Sequence, residues 1–214
     1  MSKLKKLVLI GAGGFGREVA WLVDRINLQS PTWNLLGFID DDFSKRDTSF
    51  YGLPVIGDIE WLSNQPEDIH AVCCIGNTKI RESVIAKLEG RRFATLIDPA
   101  VIRSSYVTIG EGSIICATTI VTVDITIGKH VIINLDCTVG HDVTIDDFVT
   151  VYPSVNISGN VKINKLSEIG TGSQIIQGLE IGHHVIVGAG SIVVKNLPDK
   201  CTAVGCPAKP IKFH

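Results

Sequence analysis

An imidazole beside a carboxylate is the first chemistry this chain offers. His141-Asp142 follows Val139-Gly140. An imidazole changes charge near neutral pH, so it can take or return a proton during a reaction. A lone histidine is more often a surface or packed group, and His130, His183 and His184 are read that way. A second candidate lies near the start, in Gly11-Ala12-Gly13-Gly14-Phe15-Gly16. Such a loop lets a ligand approach the backbone, and a helix beginning there favours a phosphate. Asp40-Asp41-Asp42 places carboxylates where a ribose or base edge could be met.

The elements around the glycine loop give that motif its context. Leu7 to Ile10 reads as a buried strand, and the loop is followed by a helix with Val19, Leu22, Val23 and Ile26 on one face. Leu35 to Ile39 reads as a second strand ending at the aspartates. His70 to Ile75 is a third, ending at Gly76-Asn77. A helix then runs through Leu88, and Phe93 to Ile97 makes a short fourth strand. This is roughly half of a full dinucleotide fold, so a mononucleotide ligand fits better than a nicotinamide dinucleotide.

His141 belongs to a different pattern. Every sixth residue from Ile109 to Val193 is Ile or Val, fifteen in all, without a slip. Two residues before each next aliphatic stands a small or apolar residue such as Ser113, Thr119, Val131 or Ser167. A helix needs recurrence near 3.6 and a half-buried strand a period of 2. A strict six describes short strands joined by tight corners and stacked as a solenoid, its axis filled by β-branched side chains. Gly and Asn after the aliphatic are expected to ease the corners, where positive φ is useful. His141, second after the inward Val139, points outward.

Composition narrows the classes. A hydrophobic share of 45% with 20% charged residues describes a globular protein, and a net charge of −2 leaves no general footprint for nucleic acid. The six cysteines form no CxxC pair, so reduced thiols and a cytoplasmic location are expected. Met1 to Gly11 mimics the start of a signal peptide but lacks a cleavage site, and no apolar stretch reaches membrane-spanning length.

The hexapeptide stretch resembles the left-handed parallel β-helix acyltransferases. Three hexapeptides make one triangular coil in that family, so fifteen make five coils, roughly 24 Å tall at the usual strand spacing. The resemblance implies a homotrimer with acyl-coenzyme A between adjacent prisms. The whole chain is similar to the PglD/NeuD type of bacterial sugar acetyltransferase. GAGGFGREV at 11–19, FIDDD at 38–42, CIGN at 74–77, INLDCTVGHDVTI at 133–145, NISGNVKI at 156–163 and VGCPAKPI at 204–211 carry that likeness. It implies a Rossmann-like α/β half domain at 1–97 that holds a nucleotide sugar, then an all-β left-handed β-helix at 98–214 whose C-terminal tail binds coenzyme.

By motif match, Gly13, Gly14 and Phe15 line the diphosphate and ribose, Asp40 and Asp41 meet the nucleoside, and Gly76 closes the pocket. His141 matches the family's catalytic base, and Asp142 would raise its basicity or orient its ring. Asn134 would bond the sugar, and Thr150, Thr171 and Ala189 would contact acetyl-CoA. No metal is implied. The expected reaction is direct transfer of acetyl from acetyl-CoA to the 4-amino group of a UDP- or dTDP-linked amino-deoxy-sugar. Thr150 is a departure, since members often carry a second histidine there. Its hydroxyl can still donate a hydrogen bond. Alternatives are a sialic-acid O-acetyltransferase and a non-catalytic nucleotide-sugar-binding protein. A γ-type carbonic anhydrase shares the prism but needs closely spaced zinc histidines, and no His pair here has that spacing.

Overall fold

A computed structural model of the chain describes residues 4–214. They divide into two compact units, Met1–Pro99 and Ala100–His214.

The first unit is a parallel sheet with helices between its strands. In chain order come β1 (Lys5–Ile10), α1 (Gly14–Gln29), β2 (Trp33–Ile39), β3 (Ser49–Phe50), β4 (Leu53–Gly57), α2 (Ile59–Ser63), β5 (Ile69–Cys73) and α3 (Thr78–Ala86). The strand order is β3-β4-β2-β1-β5, with only β3 antiparallel. The four parallel strands thus run 3-2-1-4 in order of appearance, as in half of a doubly wound fold. Leu7, Val8 and Leu9 are fully buried, because β1 has a neighbour on each side and cover on both faces. Val19, Ala20, Leu22 and Val23 form the buried side of α1.

The β3–β4 hairpin and α2 were not foreseen. Each is two to five residues long, too short for a periodic signal. The strand read as Phe93 to Ile97 is broken: Phe93 makes a single bridge to Ala71, and Leu96–Ile97 forms a separate two-residue strand that is not part of the five-stranded sheet. The third strand stops at Cys73 rather than Ile75, because Cys74 and Ile75 turn into the loop before α3.

The second unit is a three-sided, left-handed parallel β-helix. Its strands pair at a spacing of eighteen residues, for example Ile120 with Thr138, Thr138 with Asn156, and Asn156 with Gln174. One coil therefore holds three hexapeptides. Beyond Ile109, every aliphatic of the six-residue series is at most 2% exposed. The stack begins earlier than the unbroken period, since Ile102–Arg103 already pairs with Ile120–Val121. It ends in a hairpin of Cys201–Gly205 with Ala208–Phe213.

The small polar residues of the interior are satisfied along the stack. Ser113 Oγ donates to the Gly128 carbonyl at 2.9 Å and accepts from the Val131 N–H at 3.0 Å. Such pairing removes the cost of a buried hydroxyl.

The corners correct the sequence reading. The left-handed residue is the third after each aliphatic, not the first. From Gly112 to Gly190 every sixth residue has φ between 54 and 75°. Glycines such as Gly110 and Gly140 serve another need. A Cβ on Gly110 would lie 2.5 Å from the backbone of Gly128, so these glycines let successive coils close on one another.

Candidate active site

In the first unit, the C-terminal ends of β1, β2 and β5 open into a cavity of about 450 Å³. Gly11, Gly13, Gly14 and Phe15 form one wall, Asp40, Asp41 and Lys45 another, and Cys74, Ile75, Ile80 and Val84 a third. The glycines divide their work. Gly11 has φ of +104°, and a Cβ on Gly16 would lie 2.0 Å from the Gly11 carbonyl oxygen, so α1 can dock on the loop only without it. A Cβ on Gly13 would meet nothing within 4 Å. Packing does not demand a glycine there, and close approach by a ligand would. Gly13 also caps α1 without a side-chain hydrogen bond, and the first turn has no acidic residue. The positive end of a 16-residue helix thus faces the cavity.

Asp40 is already occupied. Its Oδ2 accepts from the Ala12 N–H at 2.8 Å and from Lys45 Nζ at 2.8 Å, and its Oδ1 accepts from the Asp42 N–H at 3.0 Å. Burial opposes its charge, but the Lys45 ammonium and the two N–H donors outweigh that and hold the carboxyl below the ordinary aspartate value. Asp41 Oδ1 accepts from the Ile59 N–H at 2.9 Å at the start of α2. A second hollow of about 450 Å³ shares Asp41 and Ile59 and is edged by Phe43, Asp58 and Glu60.

Gly76 lies outside the cavity wall. Its carbonyl accepts from buried Arg81, which also holds the Ile75 carbonyl at 2.6 Å. Arg81 Nη1, donating to both carbonyls, thereby fixes the loop that presents Cys74 and Ile75. Lys45 was missed in the sequence because no period marks it. Its signal was the Lys45-Arg46 pair that closely follows the strand-end carboxylates.

In the second unit His141 projects from a corner, with 64% of its side chain exposed. Its Nδ1 lies 2.7 Å from Asp142 Oδ2. Asp142 occupies the left-handed slot, with φ of +59°, a conformation that aspartate tolerates. The pair therefore comes from one corner: the backbone turn swings Asp142 back beside the ring. Asn134, Thr171 and Ala189 fall on the preceding edge of the prism. Asn134 is 9% exposed, and its side-chain oxygen accepts from the Leu135 N–H at 2.7 Å. Thr171 and Ala189 are exposed one coil apart. Thr150 is 1% exposed, so its hydroxyl is not offered to solvent. One chain thus brings His141 and Asp142 together but leaves a face of the prism between them and Thr171 and Ala189.

The profile of the PglD N-terminal domain matches residues 6–88. The acetyltransferase domain of PglB from Neisseria gonorrhoeae, solved in complex with acetyl coenzyme A, is 33% identical over 98% of this chain and 100% of that one, with a TM-score of 0.89. The chain belongs to the PglD-type family of sugar acetyltransferases. A perosamine N-acetyltransferase mutant from Caulobacter crescentus, in complex with CoA and GDP-perosamine, is 28% identical over 97% of both chains, with a TM-score of 0.86. The UDP-N-acetylbacillosamine N-acetyltransferase of Bacillus subtilis is 34% identical over 126 residues, 53% of this chain and 52% of that protein. A serine acetyltransferase of Buchnera aphidicola is 57% identical over 44 residues, 17% of its length. The chain thus matches about half, or less, of these two curated relatives. Among the described residues, no helix is long and apolar enough to cross a membrane, and no three His, Cys, Asp or Glu side chains gather as a metal site would require.

Proposed function

We propose that this protein is an acetyl-CoA-dependent N-acetyltransferase acting on the 4-amino group of a UDP- or dTDP-linked amino-deoxy-sugar, with His141 as general base. The observation that carries the proposal is the full-length likeness to enzymes solved with acetyl coenzyme A and with a nucleotide-linked sugar. The cavity beside the open N-terminus of α1 would take the diphosphate against Gly13, Gly14 and Phe15, with Lys45 as the nearby cation. The adjoining hollow past Asp41 gives the nucleoside room. Asp40 would serve the pocket by fixing Ala12 and Lys45.

The chemistry needs one mobile proton. The sugar amine attacks the thioester carbonyl carbon, forming C–N, and C–S breaks as the tetrahedral adduct collapses. His141 Nε2 takes the amine proton and returns it to the departing thiolate. Asp142 at 2.7 Å would keep the proton on Nδ1, which leaves the Nε2 lone pair able to accept one. No acyl-enzyme is required.

A homotrimer would complete the site. His141 stands on one prism edge and Thr171 and Ala189 on another, one six-residue side away, which is up to roughly 20 Å. A three-fold arrangement sets one chain's His141 edge against a neighbour's Thr171 edge. A stable, fully active monomer in sedimentation would remove this part.

The test is coenzyme A release from acetyl-CoA over UDP-, dTDP- and GDP-linked 4-amino-sugars, their 4-hydroxy counterparts and sialic acid. Turnover is expected with a UDP- or dTDP-linked amine. Faster acetylation of a hydroxyl acceptor would assign an O-acetyltransferase instead, and no thioester turnover with any acceptor would leave only a binding role.

A further inference from the structure

Gly159 stands eighteen residues, or one coil, after His141, in the same slot of the repeat. Across the fifteen hexapeptides that slot carries side chains as different as Ala117, Leu135, Lys165 and Gln177, and Gly159 is its one glycine. The backbone does not call for it. Gly159 is outside the positive-φ region, and the neighbouring corner residue Asn160 takes the left-handed turn with φ of 56°. The slot points outward, yet Gly159 is buried.

The reason lies in the imidazole. A Cβ built on Gly159 would lie 2.5 Å from His141 Cε1, 2.5 Å from Nε2 and 3.0 Å from Cδ2. The Cε1–Nε2 edge of the ring rests where the side chain of residue 159 would be. Nδ1, on the other side of Cε1, is held by Asp142 Oδ2 at 2.7 Å. The Asn160 N–H donates to the His141 carbonyl at 2.8 Å, so the two coils cannot part to make room.

We infer that Gly159 is a positioning residue: its missing side chain is the seat that sets His141 Nε2 in its reactive orientation. This rests on the proposal that His141 is the general base. Ordinary contact for a Cβ begins near 3.4 Å. A methyl group at 159 must therefore push the Nε2 edge outward by about 1 Å, a misplacement that can cost on the order of 10²-fold in rate.

The experiment is a double-mutant cycle of Gly159→Ala with His141→Ala, following kcat and both KM values, with thermal melting as the folding check. Gly159→Ala alone is expected to lower kcat by about 10- to 100-fold with both KM values nearly unchanged. In the His141→Ala background, with no ring to displace, the same change should cost less than about twofold. That double variant also folds without the clash, so it isolates the steric effect. An equal fractional loss in both backgrounds would overturn the inference in favour of a backbone role. A raised acetyl-CoA KM with unchanged kcat would overturn it in favour of clearance for the coenzyme. If His141→Ala alone keeps full activity, the base assignment falls first and the seat loses its purpose. If His141→Ala is impaired while Gly159→Ala is not, only the inference fails.

Discussion

The two units build their sites in opposite ways. In the first, the cavity is assembled where the ends of three strands meet, and its residues hold one another: Asp40 ties the glycine loop to Lys45, and Arg81 ties down the opposite loop. In the second, His141 occupies one slot of a lattice whose neighbouring slots accept almost anything. A site made of convergent loops spends side chains on its own architecture. A site on a lattice leaves the outward side chain unburdened, because the fold is held by the inward aliphatics.

Substitutions can break or sharpen that contrast. The largest effect should come from Gly16→Ala. Its Cβ would lie 2.0 Å from backbone oxygen, and neither the loop nor α1 can yield cheaply. A loss of about 3 kcal/mol or more is expected, read as unfolding of the first unit in urea. Next comes His141→Ala, which should lower kcat by about 10² to 10⁴ with an unchanged melting curve. A large fall in stability there would contradict the lattice picture.

Gly13→Ala should fold normally, since nothing lies within 4 Å of the added carbon. It should raise the nucleotide-sugar KM by about tenfold, the loss of one hydrogen bond to a charged group, without changing the acetyl-CoA KM. An unchanged nucleotide-sugar KM would remove the open glycine from the diphosphate site.

Asp40→Asn tests whether that carboxylate is structural. Its folded pKa lies below the ordinary aspartate value of 3.8. Ionised Asp40 therefore adds stability above that value and loses it as the pH falls through the lower folded value. The variant should melt below the wild type at neutral pH, and the two should converge in acid. A difference that persists at the lowest pH would rule out the ion pair as its source.

Thr150→Val should do least. The residue is 1% exposed, and removing its hydroxyl should cost about as much as an ordinary hydrogen bond, about 0.5–1.5 kcal/mol, seen in melting more than in turnover. Complete loss of activity would return Thr150 to the reacting centre.

Much of the prism was legible in the sequence. A period of six fixes which residues point inward, so the outward direction of His141 followed from counting back to Val139. The left-handed corner slot was misplaced, because the glycines that stand out in the sequence answer to contact between coils eighteen residues apart. In the first unit the glycine loop and the strand-end aspartates were legible as a motif. The role of Asp40 was not, since its partners Ala12 and Lys45 are brought to it by the crossing of two strands and a turn.

The sequence by itself determined the six-residue repeat and the two chemical motifs, because each is written in local spacing, and the family resemblance implied the three-sided coil. The tertiary structure decided what those residues touch. It set Asp142 beside the His141 ring, spent Asp40 on the loop, turned Gly76 away from the cavity and laid an imidazole over Gly159. The Asp142 and Gly76 outcomes come from local turns; the Asp40 and Gly159 contacts join residues far apart in the chain, whose distances are fixed only when the strands and coils close on one another.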